Sequence, residues 1–144
     1  MAQAKTEIMD ELKKAFHSIA KRFTIQRRRI WEAFSEQSEG CTIAQAVERL
    51  RGTGVGQATV YRTVKDLVDL GFLKWVHDSD GEHRYVACAN THCHPVVCRV
   101  CGNVRLFSCE GLNTLQKLIA IETGFVVEGH HLEIFGVCSE CRSA

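Results

Sequence analysis

Two pairs of cysteines near the end of the chain have the spacing of metal ligands. Cys98 and Cys101 form one C-x-x-C pair, and Cys138 and Cys141 form a second. Each pair lets two thiolates bind one ion from a tight turn, and two pairs complete the tetrahedral set of four thiolates that suits Zn²⁺. We therefore predict one structural zinc ion per subunit, at a closed site without a catalytic position. The alternative is a pair of redox dithiols.

Imidazole and thiolate donors crowd the segment just upstream. Residues 88–98 contain five Cys or His residues. Apart from Cys98, which begins the first C-x-x-C pair (the first knuckle), these are Cys88, His92, Cys93 and His94. Such a mixed set suits Zn²⁺. Further donors, any of which could equally be an ordinary surface or core residue, are His77, His83 and His130. We predict a second, regulatory site for a divalent metal, with Zn²⁺ as the favoured ion.

Hydrogen-bonding and cationic side chains occupy the first turns and the outer face of a helix predicted over residues 57–70. Val60 and Val64 lie on its opposite, apolar face. A recognition helix contacts base edges and phosphates of DNA from its N-terminal turns. The candidate DNA contacts are Gln57, Thr59, Tyr61, Arg62 and Lys65, together with Arg22 and Arg27 from the N-terminal segment. The alternative is a solvated helix face in a structural bundle.

The net charge of +1 hides an uneven distribution. Residues 1–31 contain eight basic and three acidic residues, a local charge of +5, whereas residues 85–144 contain four basic and five acidic residues. A basic segment can lie along the phosphate backbone, although such runs are more often solvated surface. Seven of the eight cysteines fall in the second part. The contrast predicts two domains, residues 1–86 and 92–144, joined by a hinge at residues 85–91.

The chain shows no sign of a membrane or secretory segment. No apolar stretch in its 144 residues approaches the ~20 residues that a membrane span needs. Lys5, Glu7 and Asp10 interrupt the apolar residues of the N-terminal segment, unlike a secretory signal. We therefore expect a cytoplasmic protein without a membrane partner. In that reducing compartment, cysteines are more often metal ligands or free thiols than disulfides, and the roles of Cys41 and Cys109 stay open.

Apolar periodicity predicts the elements that must position these residues. Helices are predicted at residues 6–20, after Thr24, after Thr42 and at 57–70, followed by strands at 72–77 and 82–87 around an Asp-Gly turn. This order is typical of a winged helix. The second domain is predicted as a strand at 104–107, a helix at 110–122 and a long strand at 125–137, with Leu112, Leu115, Leu118 and Ile119 of the helix buried. The predicted fold class is α+β, a winged-helix domain plus a small C-terminal α/β domain.

The chain resembles the ferric-uptake-regulator superfamily along nearly its full length. The segments that carry the resemblance are residues 22–27 (RFTIQR), 58–64 (ATVYRTV), 98–102 (CRVCG) and 130–141 (HHLEIFGVCSEC). The resemblance implies a homodimer that pairs through its C-terminal sheets, winged helices that bind palindromic operators, and metal-dependent repression. It also implies base and backbone contacts by Tyr61 and Arg62, and structural zinc on the four knuckle cysteines.

Within the superfamily, the chain is most similar to the zinc-uptake branch. Its Tyr-x-x-Cys segment, which ends at Cys88, is similar to that of zinc-uptake regulators, whose sensing site includes a thiolate. Iron- and peroxide-sensing members usually carry carboxylates where this chain has Val86 and Leu106. We therefore predict a zinc-dependent repressor of zinc-uptake genes.

Three alternatives remain. The first keeps the fold but responds to iron, haem or redox state. The second is a zinc-dependent enzyme around Cys88, His92 and His94, which the sequence disfavours because no Asp or Glu stands beside these ligands as a general base. We expect no enzymatic activity. The third is a protein–protein adaptor that does not bind DNA.

Overall fold

The computed structural model describes residues 2–78, 80–89, 92–108 and 110–144. The chain divides into two compact units, residues 1–91 and 92–144. Cys109 lies outside the described residues. No helix in the described ranges has the length and apolar character needed to cross a membrane.

Four helices open the first unit: α1 (Ala2–Ser18), α2 (Ile25–Ser35), α3 (Ile43–Arg49) and α4 (Gln57–Asp69). Helix α1 begins before the predicted residue 6 because residues 2–5 (AQAK) are good helix formers. Thr24 accepts a hydrogen bond from the N–H of Arg27 at 3.3 Å, and Thr42 forms a reciprocal capping box with Gln45. These bonds satisfy N–H groups that have no partner within the helix, so α2 and α3 begin where the sequence predicts.

The helices enclose an apolar core. Its buried members include Leu12, Phe16, Ile30, Trp31, Phe34, Val60, Val64 and Leu67. Because α4 directs Val60, Val64 and Leu67 inward, the opposite face of this helix is available to solvent or to a partner.

A hairpin completes the first unit. Strands β1 (Leu73–His77) and β2 (His83–Ala87) pair antiparallel, in a register that runs from Leu73 opposite Ala87 to His77 opposite His83. Cys41 forms an isolated antiparallel β-bridge with Tyr85 of the hairpin. A Cβ at the preceding residue, Gly40, would lie 2.6 Å from the carbonyl oxygen of Tyr85. Only glycine fits this approach, so the hairpin is seated closely on the connection between α2 and α3. Helices followed by this hairpin form the predicted winged helix.

The second unit contains a three-stranded sheet, one longer helix and a terminal helical turn. Its elements are β3 (Cys93–Cys98), β4 (Val104–Ser108), α5 (Gly111–Thr123), β5 (Ile134–Gly136) and α6 (Ser139–Arg142). The sheet order is β4-β3-β5, with β3 antiparallel to β4 and parallel to β5. The central strand therefore leads from the histidine-rich segment directly into the first cysteine knuckle.

Two predictions for this unit are wrong. The long strand expected at residues 125–137 is limited to Ile134–Gly136, since only these residues pair with β3. Helix α5 buries none of its residues, and Leu115, Leu118 and Ile119 are exposed by 50, 57 and 42 %. Leu112 is half-buried. Periodicity identifies the residues that share a helix face, but it does not show that the same chain covers that face.

Candidate metal centre and nucleic-acid interface

The four knuckle cysteines meet in the second unit. Cys98 ends β3, Cys101 follows in the next turn, and Cys138 and Cys141 stand at the start of and within α6. Their sulfur atoms all lie within 4.8 Å of one another, and the Sγ atoms of Cys101 and Cys138 are 3.8 Å apart. A tetrahedral ion with Zn–S bonds of about 2.3 Å places its sulfurs about 3.8 Å apart. The donor set, which we call the four-cysteine cluster, therefore fits Zn²⁺. The convergence of all four sulfur atoms on one point favours a metal site over two separate redox dithiols.

The backbone around the knuckles supports this convergence. Gly102 has a φ of 75°, which suits glycine in this turn, and its N–H donates to the carbonyl of Cys98 at 2.8 Å. This turn returns the chain from β3 toward β4 and leaves the sulfur of Cys101 facing that of Cys138.

The thiols of this cluster are unequal acids. The N–H of Cys138 donates to Cys98 Sγ at 3.3 Å, and with the N–H groups of Cys101 and Val100 it lowers the pKa of Cys98 to about 6. Hydrogen bonds with the Cys138 and Cys101 side chains raise the pKa of Cys141 to about 12. One thiolate therefore forms readily near neutral pH, whereas four adjacent thiolates require a cation to offset their repulsion.

Two histidines of the second unit also come together. His94 in β3 is only 4 % exposed, and its ring centroid lies 5.0 Å from that of His130. A hydrogen bond of 2.7 Å between Gln116 Nε2 and His130 Nδ1 orients the second ring. His92 is exposed just before β3, and Cys93 is buried at its first position. Of the predicted regulatory donors in this unit, the structure thus pairs His94 with His130.

The predicted donors of the first unit lie at opposite ends of the hairpin. Cys88 is fully buried after β2, where its N–H donates to the carbonyl of Phe72 at 2.8 Å. His77 and His83 form the last register pair, with ring centroids 5.1 Å apart. Five residue steps along an antiparallel strand span about 17 Å. The hairpin histidines therefore do not join Cys88 in one metal site.

The cysteines differ in oxidation state. Cys88 and Cys93 are both in disulfide linkage, so a metal-binding role for either requires reduction. The four knuckle cysteines and Cys41 carry free thiols. Cys41 is buried, and this burial raises the pKa of its thiol, which makes it a poor thiolate ligand.

Helix α4 presents polar side chains outward from its first two turns. Tyr61 is 51 % exposed, Gln57 and Arg62 are also exposed, and Thr59 is half-buried. Lys65 forms an exposed ion pair of 2.6 Å with Asp69. The first four of these residues carry hydrogen-bonding or cationic groups in the first two turns of α4, which is the composition that base-edge and phosphate contacts need.

The two arginines of the N-terminal segment have different surroundings. Arg22 is exposed. Arg27 is half-buried, lies 5.0 Å above the ring of Phe16, and donates a hydrogen bond to the carbonyl oxygen of Arg22. Arg22 is therefore accessible to a partner, whereas Arg27 holds the connection between α1 and α2.

One ion pair near this surface was not predicted. Lys21 Nζ lies 2.6 Å from Asp66 Oδ1, and Asp66 in α4 is only 7 % exposed. The pair ties the connection between α1 and α2 to the helix that carries Tyr61 and Arg62. Its partners are 45 positions apart, beyond any helical spacing, and the single sequence signal is an aspartate between buried positions of α4.

The chain is similar to members of one known protein family. The sequence model of the ferric uptake regulator family matches residues 7–135. The zinc uptake regulation protein of Mycobacterium tuberculosis is 37 % identical over 95 residues, covering 66 % of this chain and 73 % of the relative. The peroxide operon regulator of Bacillus subtilis is 32 % identical over 136 residues, covering 91 and 93 % of the two chains. The ferric uptake regulation protein of Neisseria gonorrhoeae is 32 % identical over 120 residues, covering 81 and 83 %.

Solved structures share the fold. A zinc uptake regulator complexed with zinc and DNA superposes with a TM-score of 0.74 at 23 % identity, over 96 % of this chain and 95 % of that one. The ferric uptake regulator of Vibrio cholerae gives a TM-score of 0.53 at 26 % identity, over 88 and 98 % of the two chains. The predicted α+β class and its winged-helix arrangement are confirmed.

Proposed function

The chain belongs to the ferric uptake regulator family of metal-responsive, DNA-binding transcriptional regulators, and on that premise we propose that it represses zinc-uptake genes when zinc is bound. The family consists of regulators and not of enzymes. The observation that carries the proposal is the pairing of two histidine rings. His94 is buried in β3, the strand that leads into the four-cysteine cluster, and its ring lies beside that of His130. We place this activity in the cytoplasm.

The chemistry of the donors supports zinc as the signal. Imidazole and thiolate favour Zn²⁺, whereas carboxylates favour harder ions such as Mn²⁺. The positions where iron and peroxide sensors usually carry carboxylates hold Val86, which is buried, and Leu106 in β4. Neither side chain can bind a metal. The proposed regulatory ligands are therefore His94 and His130, with His92 and the reduced thiol of Cys93 as the further donors.

The four-cysteine cluster has a separate, structural role in this proposal. Cys98, Cys101, Cys138 and Cys141 would hold one Zn²⁺ per subunit, which supplies four metal–thiolate bonds between the end of β3 and α6. With four protein ligands the ion has no open position. This site would therefore stabilise the second unit without taking part in sensing.

The outward surface of α4 is the proposed operator contact. Gln57, Thr59, Tyr61 and Arg62 would reach base edges and phosphates, and Arg22 would contact the backbone. Two such surfaces in a homodimer would read the two halves of a palindromic operator from successive major grooves.

Exposed apolar residues at the end of α5 support the homodimer. Ile121, Phe125 and Val126 are 81, 74 and 86 % exposed, and Phe135 in β5 is 57 % exposed. A monomeric protein rarely leaves such a group of large apolar side chains in water. Because the family acts as DNA-binding dimers, a second copy of this chain is the proposed cover.

A metal titration of operator binding tests this function. A palindromic duplex is selected from a random pool with the reduced, zinc-loaded protein, and its affinity is measured while the more weakly bound zinc is chelated and then restored. We expect affinity to fall on chelation and to return with Zn²⁺, and His94→Ala to remove the response while the exposed control His17→Ala retains it. Unchanged affinity on chelation, or better recovery with Fe²⁺ or Mn²⁺, contradicts the proposal.

A redox-responsive regulator is the second candidate, because Cys88 and Cys93 are in disulfide linkage. Oxidation removes the proposed thiolate donor Cys93, so it would weaken regulatory metal binding. The same assay at constant zinc separates the two functions. Loss of operator binding on mild thiol oxidation, reversed by a thiol reductant, would identify redox state as the signal.

A further inference from the structure

Three aromatic rings cluster near the tip of the hairpin. His77 and His83 are the last register pair of β1 and β2, with ring centroids 5.1 Å apart. Trp75, two residues before His77 and on the same face of the strand, stacks on His83 at 4.4 Å with an interplanar angle of 20°. Both histidines are exposed. We call these three residues the hairpin cluster.

The pairing of the two imidazoles is that of a chelate. Side chains directly opposite in an antiparallel pair have Cβ atoms about 4.5–5.5 Å apart. Two imidazoles at this separation can turn one nitrogen each toward a common ion, at metal–nitrogen distances of about 2.0–2.1 Å. The stack on Trp75 restricts the ring of His83, which reduces the entropy lost when an ion binds.

We propose that the hairpin cluster binds one divalent ion of the imidazole-preferring class, such as Ni²⁺, Cu²⁺ or Zn²⁺, through His77 and His83. The ion is distinct from that of the four-cysteine cluster, the one group among the described residues in which three or more donor atoms lie within 4.8 Å of one another. The five residue steps that separate His83 from Cys88 also exclude a shared ion. Because two protein donors leave positions for water, this site is the weakest of the three.

The charge of the hairpin tip gives the bound ion a consequence for DNA. Residues 78–82 contain three acidic and no basic residues, namely Asp78, Asp80 and Glu82. Carboxylates repel the phosphate backbone, and a divalent ion held beside them offsets two of the three charges. Metal at the hairpin cluster therefore strengthens DNA binding. This effect rests on the proposed function, whereas the metal site itself does not depend on it.

The indole signals of the two tryptophans provide the test. In ¹H–¹⁵N spectra of the reduced, zinc-loaded protein, added Ni²⁺ is expected to broaden the Trp75 indole signal and to leave that of Trp31, which is 3 % exposed in the core, unchanged. His77→Gln and His83→Gln should each abolish the broadening, while His17→Gln should retain it. An unperturbed Trp75 in the natural sequence, or one that still broadens in both hairpin variants, overturns the site.

A second measurement tests the effect on DNA. Ni²⁺ added to the zinc-loaded protein should increase its affinity for duplex DNA, and the double variant His77→Gln/His83→Gln should lose this increase. An equal increase in the double variant overturns the role in DNA binding. The spectra need no DNA, so failure of the proposed function leaves them intact, whereas failure of the hairpin cluster leaves zinc-dependent operator binding intact.

Discussion

The first unit is held together by apolar packing, whereas the second has little interior of its own. Phe16, Phe34 and Ile30 are completely buried in the first unit. In the second, α5 buries none of its residues, and the buried positions lie mainly along β3. Residues 92–144 are near the lower limit of size for an independent domain. Domains this small often need metals, disulfides or partners to be stable. The comparison indicates that metal and partner replace a core in the second unit.

Loss of the structural zinc should produce the largest difference in stability between the two units. Zinc contributes about 10–16 kcal/mol of apparent binding energy in small Cys/His domains, so Cys98→Ser is expected to unfold the second unit and dissociate the dimer. The first unit should stay folded, which Trp31 fluorescence measures, while light scattering reports the dimer. Cys41→Ala, a change at a thiol outside the cluster, should keep its full zinc content. A folded, dimeric Cys98→Ser protein would show that zinc does not hold this unit.

Acid should reproduce this loss. The lowered pKa of Cys98, about 6, means that its thiolate persists at neutral pH and is protonated as the pH falls through that value. That value belongs to the metal-free thiol; bound Zn²⁺ stabilises the thiolates, so zinc should be retained below this pH and released only when protons compete successfully for the sulfurs. Zinc release followed with a chromophoric chelator, beside Trp31 fluorescence, should show the metal leaving before the first unit unfolds. Simultaneous transitions would argue against independent stabilisation.

A cavity in the first core should have the reverse effect. Phe34→Ala removes a completely buried ring and is expected to lower the free energy of unfolding of the first unit by about 3–5 kcal/mol. Urea unfolding followed by Trp31 fluorescence measures this loss. Zinc content should not change, and a fall in bound zinc would contradict the contrast between the units.

Polar substitution on the exposed face of α5 should affect association. Ile121→Ser removes a side chain whose burial is worth about 1.5–3 kcal/mol, so the dimer dissociation constant should rise about tenfold or more. Sedimentation equilibrium provides the measurement. Ile25→Ser is the matched control, because Ile25 is 59 % exposed on the first unit. Equal effects of the two substitutions would exclude α5 as the dimer face.

The smallest effect is expected at the ion pair behind the recognition helix. Asp66→Asn breaks a buried pair, but Lys21 is 44 % exposed at its side chain, so solvent screening limits the cost to about 1–2 kcal/mol. The exposed pair of Lys13 and Asp10 is the control, and Asp10→Asn should change stability by less than about 1 kcal/mol. Urea unfolding compares them. Similar losses would mean that burial adds nothing to the first pair.

The sequence predicted best what depends on neighbouring residues. The helix starts after Thr24 and Thr42 and the spacing of the knuckle cysteines are local, and the structure has each of them. Apolar periodicity predicted the helices for the same reason, although α1 begins at Ala2 and not at the predicted residue 6. Local spacing is also sufficient to identify the donors of the four-cysteine cluster.

Features that depend on distant contacts were not predictable. The pair of Lys21 and Asp66 requires α4 to pack beside the connection that follows α1. The exposure of Leu118 depends on a surface that this chain does not cover, and the short β5 depends on its pairing with β3. The separation of His83 from Cys88 follows from strand length, which residue types alone do not reveal.

The close approach at Gly40 has a consequence for natural and designed variation. A Cβ there would meet the backbone of Tyr85, which has no flexible end to move, and the φ of 76° adds strain for any other residue. By contrast, a Cβ at Gly56 meets nothing within 4 Å, and this residue has an ordinary extended backbone. In a library of functional variants, position 40 is therefore invariant while position 56 diversifies, so the attachment point of the hairpin limits how this sequence can evolve more than the connection before the recognition helix does.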